Sequence, residues 1–516
     1  MDQKNSGERS LIKKSASISF LVIIGKVLGF IKQAVIAWAF GANAITDVYF
    51  AADSYASLFG NVFAQTIGPT VLTQYITLNE KGENKRAKKL IQNSYLFFAL
   101  LSLLIIAVNL IFTGQIAKMV GISYTDDQLK ELRFFLMMLY PVILFASLSG
   151  VSAGYLDSNN RFLPGRLLSL FFSASIIGFV FFFKNTLGIR ALLYGFLTGY
   201  LLHMILMVSL VLPKVGFGIS NPFRNADFVS MIKRFLPLVI GISVVDIGHL
   251  VDKIVASSLD AGIVSSLYYG QVISSDIVSA VIITSVSAVL LPTIARSVAA
   301  KVELTVLRNR IQRIMKVMTF VLAGIAALYF VEGIDLIRLF FQRGNFDSSN
   351  TQTVSGIVIC YAISFIFTAN RSVLVQTHYA FHDTKSPMMN SIIGVCCNIV
   401  LSILLAKVMG GMGIALATSI SMIIVFFLST LTLKKHIATY IIDKASAIDF
   451  IKSIMSGAVA VSIGKFFFGL MAETHFFIRM VIVGLSMCVI YYICSILLKE
   501  EAASESLSFL KKKMHS

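Results

Sequence analysis

Apolar stretches long enough to cross a bilayer recur from about residue 16 to about residue 498. Yet the first carries Lys26 and Lys32, and the seventh carries Asp246, His249, Asp252 and Lys253. An ionised side chain at bilayer depth is expensive unless it faces protein or a wet cavity. The chain is therefore expected to be an all-α polytopic membrane protein with a polar interior, the pattern of a transporter.

With 57% hydrophobic and 14% charged residues and a mean hydropathy of +0.82, the chain lies outside the range of a soluble domain. No hydrophilic stretch is long enough to fold alone, so one integral membrane unit is expected. The formal net charge of +18 comes from basic residues in short loops, with no aromatic platform for nucleic acid. They are read as setting topology and touching anionic membrane lipid. The five cysteines, Cys360, Cys396, Cys397, Cys488 and Cys494, fall inside predicted helices without paired metal spacing and read as small packing residues. Lys4, Arg9, Lys13 and Lys14 precede an apolar run, but that run continues to about Phe40 without a small-residue cleavage site. It reads as the first span rather than as a removed signal.

At about 20 residues per crossing, about fourteen helices are predicted. They lie near 16–40, 48–76, 91–113, 132–156, 163–183, 191–212, 236–258, 264–292, 314–332, 353–381, 386–406, 412–433, 450–471 and 477–498. With the N-terminus in the cytoplasm, the basic loops at 81–89, 214–234, 296–316 and 434–452 all fall inside. Roughly 30 lysines and arginines then lie inside against about 9 outside, as the positive-inside rule requires. An even number of crossings puts both termini in the cytoplasm of a bacterial cell, with the chain in the cytoplasmic membrane.

An internal repeat is visible. Phe40-Gly41-Ala42 followed by Tyr49-Phe50 matches Leu259-Asp260-Ala261 followed by Tyr268-Tyr269 at an offset of 219 residues, and Pro69 and Pro292 end the helices that follow. The offset spans six helices, so the copies share one orientation about an axis along the membrane normal. This divides the chain into a lobe over 1–228, a lobe over 229–440, and a pair of added helices with a basic tail over 441–516.

Three constellations carry polar chemistry. Lys26 and Gln33 lie seven residues apart on nearly one face of the first helix, with Lys32 about 120° around. Gly25 and Gly29 beside them allow close helix approach. The lysines read either as a cationic lining for an anionic head group such as a pyrophosphate, or as Lys32 paired with a carboxylate while Lys26 snorkels outward. In the second helix, Ser54, Ser57, Asn61, Gln65 and Gly68 form a polar stripe that suits a sugar-binding cavity or an interhelical hydrogen-bond seam. In the seventh, Asp246, His249 and Lys253 share a stripe flanked by Asp252. That set reads as a coupling-ion site, a gate near the outer end, or structural pairing of Asp252. Gln271, Ser274 and Ser275 add polar groups in the eighth helix, and Asn370, Arg371 and Thr377 in the tenth. Arg371 is the only arginine read as intramembrane.

There is no Walker loop, HExxH, convincing nucleophile elbow or paired metal-ligand motif. The chain is expected not to be an enzyme and to need no cofactor. Transport then draws on a coupling cation (Na+ or H+), the membrane potential or the substrate gradient.

Gly25-Lys26-Val27-Leu28-Gly29-Phe30-Ile31-Lys32, followed by Phe40-Gly41-Ala42 and Thr46-Asp47, resembles the opening signature of the MurJ (MviN) family of lipid II flippases. Asp252-Lys253 with Ala256-Ser257, Tyr268-Tyr269, Leu290-Leu291-Pro292, Leu339-Phe340 through Arg343-Gly344-Asn345-Phe346, and Asp383-Thr384-Lys385 before Pro387 extend the match over twelve helices in order. The resemblance implies the fold of the multidrug/oligosaccharidyl-lipid/polysaccharide exporter (MOP) superfamily, with two six-helix lobes and a final helix pair that receives a lipid tail. It implies movement of an undecaprenyl-diphosphate-linked saccharide, lipid II first among them, to the outer leaflet by alternating access. Cell-wall or polysaccharide synthases are implied as partners, and no nucleic acid. Lys26 and Lys32 stand at family positions that contact the pyrophosphate, where relatives usually carry arginine. The family's arginine pair in the second helix aligns with Gly60 and Asn61, its acid there with Gln65, and an arginine in the eighth helix with Val272. Asn61, Gln65 and Gln271 are then expected to hydrogen-bond sugar, and Arg371 to supply charge. Asp47 joins Asp246, His249, Asp252 and Lys253 as a gating or ion-coupling candidate. A flippase for a capsule or exopolysaccharide unit and a multidrug-type antiporter are the alternatives.

Overall fold

The computed structural model describes residues 2–218, 220–276, 294, 296–298, 300 and 302–514, with side chains described from 21 to 274 and from 294 to 508 within those ranges. The second half of the eighth predicted helix, with Leu290-Leu291-Pro292 and the side chain of Ser275, lies outside the described residues, as do the side chains of Lys4, Arg9, Lys13 and Lys14.

Lipid offers a backbone no hydrogen bonds, so a crossing segment must satisfy its own amides and carbonyls. Among the described residues every regular element is accordingly helical. In order these are α1 (Asp2–Phe40), α2 (Ala44–Glu80), α3 (Asn84–Val120), α4 (Asp126–Leu139), α5 (Pro141–Ser158), α6 (Leu163–Arg166), α7 (Leu168–Leu187), α8 (Arg190–Val215), α9 (Ala226–Ala256) and α10 (Ile263–Gln271). Then follow α11 (Leu304–Phe341), α12 (Ser348–Ala362), α13 (Phe365–Ala380), α14 (Lys385–Met409), α15 (Gly411–Ile437), α16 (Lys444–Leu470), α17 (Phe476–Leu497) and α18 (Glu501–Met514). Among these residues, 11 segments are long and apolar enough to cross a membrane, or 12 when α12 and α13, bent by 44° at a short break, count as one span. The polar stripe of α2 keeps that 37-residue helix outside this count. The chain is thus a multi-pass membrane protein.

Helix bounds recur along the chain. Spans 126–158, 163–187 and 190–215 are matched by 348–380, 385–409 and 411–437. Thr46 and Ser265, 219 residues apart, lie two residues inside the starts of α2 and α10 and hydrogen-bond through their hydroxyls at 3.2 Å.

The chain forms two compact units, Met1–Ser265 with Gly344–Phe346, and Ser266–Arg343 with Asp347–Ser516. In the first, small residues set helix spacing, because apolar surface alone gives little drive to association in lipid. A Cβ on Gly25 of α1 would overlap Ser169 Oγ of α7, and one on Gly199 of α8 would lie 2.7 Å from Phe172 Cα. Hydroxyl and amide pairs bridge the gaps, with Tyr95 to Ser152 at 2.6 Å, Ser102 to Ser147 at 2.7 Å and Tyr55 donating to Asn109 at 2.6 Å. The Gly344–Phe346 segment closes the end of α1. Asn345 donates its backbone N–H to the Trp38 carbonyl at 3.0 Å and its side-chain amide to the Ala39 carbonyl at 2.6 Å. These are terminal helix carbonyls that have no intrahelical partner. Gly41 and Gly344 both adopt positive φ, +68° and +61°, and a Cβ on either would overlap the other strand of this contact.

In the second unit, α11 runs 38 residues, well beyond the predicted 314–332. Its charged first turns are held by ion pairs, Arg308 with Asp443 at 2.9 Å, Arg313 with Glu505 at 2.9 Å, and Lys316 with Asp449 at 2.8 Å and with Glu501. Deeper along α11, Asp335 accepts two hydrogen bonds from Arg479 of α17, at 2.8 and 2.7 Å, with both residues buried. Arg479 is thus a buried arginine within a candidate span, and with Arg133, Arg166 and Arg338, which also fall inside such spans, it corrects the reading of Arg371 as the only one. Its charge is tolerated because a bidentate carboxylate meets it. The Phe468 ring, 4.1 Å from the guanidinium carbon, covers the same group. One turn earlier Glu332 is buried, with both carboxyl oxygens lacking a hydrogen-bond partner among the described residues.

Removing Asp335 leaves Arg479 buried with the Ala472 carbonyl at 3.3 Å, and removing Arg479 leaves Asp335 only the looser contact with Arg338 at 3.5 Å. Asp335→Asn or Arg479→Met is expected to destabilise the protein by about 3–5 kcal/mol, and the double variant Asp335→Leu/Arg479→Met to recover most of that loss. Thermal unfolding in detergent checks it, and independent, additive losses would show that the two residues do not act as a pair.

Candidate functional site

The first unit places a polar set where α1, α2, α7 and α9 supply the side chains. Lys32 is buried on α1, with its ammonium 4.4 Å from the centre of the Phe172 ring of α7. Asp53 of α2, buried and accepting a 3.0 Å hydrogen bond from Ser57 Oγ, lies within electrostatic reach of both Lys32 and Lys253 of α9. Lys253 is also buried, and His249 one turn before it senses its charge. Farther along the α2–α9 contact, Asn61 lies near the carboxyl of Asp246, whose Oδ2 has no hydrogen-bond partner among the described residues. An acid on α2 thus faces basic residues from the helices on either side, with amide groups continuing the face.

Asp53 was missed in the sequence reading. It opens the stripe then taken to begin at Ser54, and the four-residue steps Asp53, Ser57, Asn61 and Gln65 put it on the same face. Asp53 is a carboxylate near enough to act on Lys32 electrostatically, as the pairing considered for Lys32 from sequence requires.

The remaining candidates sit differently. Lys26 and Gln65 are exposed on their helices, as is His249. Asp252 is buried beside Lys253. Asp47 lies in the first turn of α2, and its carboxylate accepts the backbone N–H of Gly262 at 2.6 Å, the N–H of Ser265 at 2.8 Å and the Ser265 hydroxyl at 2.5 Å. Asp47 therefore caps the start of α10, where amides lack intrahelical acceptors. Asn43 does the same for α2 through a capping box with Thr46. Gln271 and Arg371 belong to the second unit. Gln271, half-buried, ends α10 where a π-turn over Val272–Asp276 begins. Tyr329 satisfies the Ile273 carbonyl of that turn at 3.0 Å. Arg371, half-buried on α13, donates to Ser391 Oγ of α14 at 2.8 Å.

The set in the first unit has the chemistry to hold an anion. Lysine ammonium groups provide charge without a fixed fork, so they suit a phosphate group treated as a centre of charge rather than a planar bidentate acceptor.

The chain is similar to proteins of known kind. A family model described as lipid II flippase MurJ matches residues 36–486. The probable lipid II flippase MurJ of Rhizobium tropici is 26% identical over 426 residues, covering 80% of this chain and 79% of the relative. That of Vibrio cholerae is 24% identical over 438 residues, covering 80% and 81%. Among solved structures, lipid II flippase MurJ in an inward closed conformation superposes with a TM-score of 0.81 at 23% identity, over 94% of this chain and 99% of that one. An inward-facing multidrug resistance MATE family transporter of the MOP superfamily superposes with a TM-score of 0.65 at 11% identity, over 80% and 94%. With the family model spanning most of its length and the fold shared end to end, this chain belongs to the MurJ family.

Proposed function

We propose that this protein is a lipid II flippase, moving the undecaprenyl-diphosphate-linked peptidoglycan precursor from the cytoplasmic to the outer leaflet by alternating access and without a covalent step. The observation that carries the reading is Lys32, a buried cation within an apolar span, set against Asp53 and an aromatic ring rather than against solvent. In the absence of substrate Asp53 balances that charge. A diphosphate entering beside α1 competes with Asp53 for Lys32, so binding exchanges one counter-ion for another instead of stripping a bare ammonium of its partner. Lys26, exposed on the same helix, meets the substrate first, and the amides of Asn61, Gln65 and Gln271 contact sugar, with Arg371 adding charge.

The topology completes the proposal. Adding α2 and the segment beginning at α10 to the 12 apolar spans gives fourteen crossings, with both termini in the cytoplasm of a bacterial cell. A cation gradient or the membrane potential drives the cycle through α9, whose Asp246, His249, Asp252 and Lys253 hold the titratable groups. Synthases that use the exported precursor are the expected partners.

Complementation of a cell depleted of its own lipid II flippase, with outer-leaflet lipid II scored by a periplasm-restricted probe, tests the function. Rescue with lipid II exposure is expected. A well-inserted chain that fails to rescue overturns lipid II as the cargo and points to an exopolysaccharide precursor. In the same assay, Lys32→Ala and Lys26→Ala are each expected to abolish rescue at normal expression, while Lys32→Arg retains it. Full activity in both alanine variants removes the diphosphate site. Asp53→Asn is expected to tighten lipid II binding by roughly fivefold, about 1 kcal/mol, while slowing flipping, because the charge that displaces the substrate is gone. Weaker binding in that variant contradicts the exchange.

A further inference from the structure

The second unit carries a cluster of side chains that lipid II transport leaves without a task. Asp383 sits in the short loop between α13 and α14, and three nitrogens converge on one of its oxygens. His378 Nδ1 of α13 lies 2.9 Å from Oδ2, His436 Nε2 of the last turn of α15 lies 3.0 Å away, and Lys435 Nζ lies 2.8 Å away. The other oxygen, Oδ1, accepts the Ser386 backbone N–H at 3.1 Å. Three nitrogens crowd one carboxylate oxygen with two lone pairs, so not all three can donate to it at once.

Proton accounting at His378 sharpens the point. Its Nε2 faces Thr432 Oγ1 at 3.3 Å and the Ser429 carbonyl at 3.5 Å. Thr432 Oγ1 also lies 2.9 Å from the Leu428 carbonyl, to which its hydroxyl can donate, and accepts the Asn390 amide at 2.9 Å, so it can accept from the histidine. In the tautomer whose Nε2–H donates to these acceptors, Nδ1 presents its lone pair toward the Asp383 carboxylate, so both groups can ligate one cation. A second proton or a cation between the two groups relieves their repulsion in that tautomer. An imidazole whose far N–H is held by protein acceptors, with its near nitrogen beside a carboxylate, is the arrangement that orients a metal ligand.

The frame around the cluster is built. His378 is fully buried, Asp383 nearly so, and His436 stacks on the Phe381 ring at 5.0 Å with 9° between planes. The Asp383 N–H returns to the His378 carbonyl at 2.9 Å through a turn in which His382 adopts φ +59°. The three ligand atoms lie within 4.8 Å of one another. Bonds of about 2.0–2.2 Å to zinc reach all three with a small expansion. Two imidazoles and one carboxylate favour zinc, cobalt or nickel over magnesium or calcium.

We propose that His378 Nδ1, His436 Nε2 and Asp383 Oδ2 form a binding site for a divalent transition-metal cation of the zinc class, at the end of the second unit where α13, α14 and α15 meet. Lys435, half-exposed on its flexible stem, swings aside when the ion enters. The site is independent of the flippase reading, and its test does not depend on transport.

Full-length protein without a polyhistidine tag is stripped with chelator, reconstituted in nanodiscs and titrated with Co2+ by visible absorption, then with Zn2+ by calorimetry. One Co2+ per chain with a tetrahedral-type spectrum, displaced by Zn2+, is expected. His436→Ala, at the most exposed ligand, is expected to weaken Zn2+ binding by about tenfold or more. Asp383→Asn, which keeps the side-chain shape, is expected to weaken it similarly, and Lys435→Ala to tighten it. Absence of a stoichiometric Co2+ spectrum, or Zn2+ affinity in Asp383→Asn equal to that of the parent, overturns the proposal.

Discussion

A charge carried into lipid must bring its own counter-charge, and much of this architecture is an answer to that demand. The Asp335–Arg479 pair meets it with two parallel hydrogen bonds, joining helices whose apolar surfaces would otherwise gain little from meeting each other. Asp53 meets it differently. It stands on a polar face within reach of lysines from α1 and α9, so its charge is balanced without being locked into one bidentate partner. The first arrangement fastens two helices, and the second does not lock its carboxyl to a single helix.

The fold was legible wherever one residue type has one physical use. Gly25 beside Lys26 announced a close helix approach, and Ser169 is the side chain that a Cβ there would strike. The offset of 219 between Phe40-Gly41-Ala42 and Leu259-Asp260-Ala261 has a near counterpart in three pairs of spans 221–222 residues apart, although Pro69, read as a helix end, lies inside α2. The Arg343-Gly344-Asn345-Phe346 motif was legible as a family mark but not as a contact. Its use, satisfying the last carbonyls of α1, depends on residues some three hundred positions earlier. The long amphipathic start of α11 was under-read, because its charges look like a loop until Asp443, Asp449, Glu501 and Glu505 are seen opposite them.

The site was legible by type and less so by partner. Lys32, Asn61, Asp246 and Lys253 stood out because polar groups interrupt apolar spans, but periodicity on one helix says nothing about what faces it from another. Asp53 was hidden among alanines and serines, and Arg479 needed Asp335, 144 residues away. Asp47 shows a role that position alone hides. A conspicuous acid near a span end was read as a gate, whereas its oxygens are taken up by the amides and hydroxyl at the start of α10. His378, Asp383 and His436 escaped a search for metal-ligand spacing because the last lies 53 residues from the loop it meets.

Two helix breaks fall at matching places in spans 126–158 and 348–380. In the first copy the helix is interrupted at Tyr140, where Pro141 has no N–H to give. At the matching place in the second copy no proline remains, and the interruption falls at Ile363 and Ser364, with the serine hydroxyl turned back onto the Tyr361 carbonyl. Two unrelated chemistries hold open the same joint. A long span can thus be broken at a matching position without a proline, so the 44° bend between α12 and α13 would escape a search for that residue.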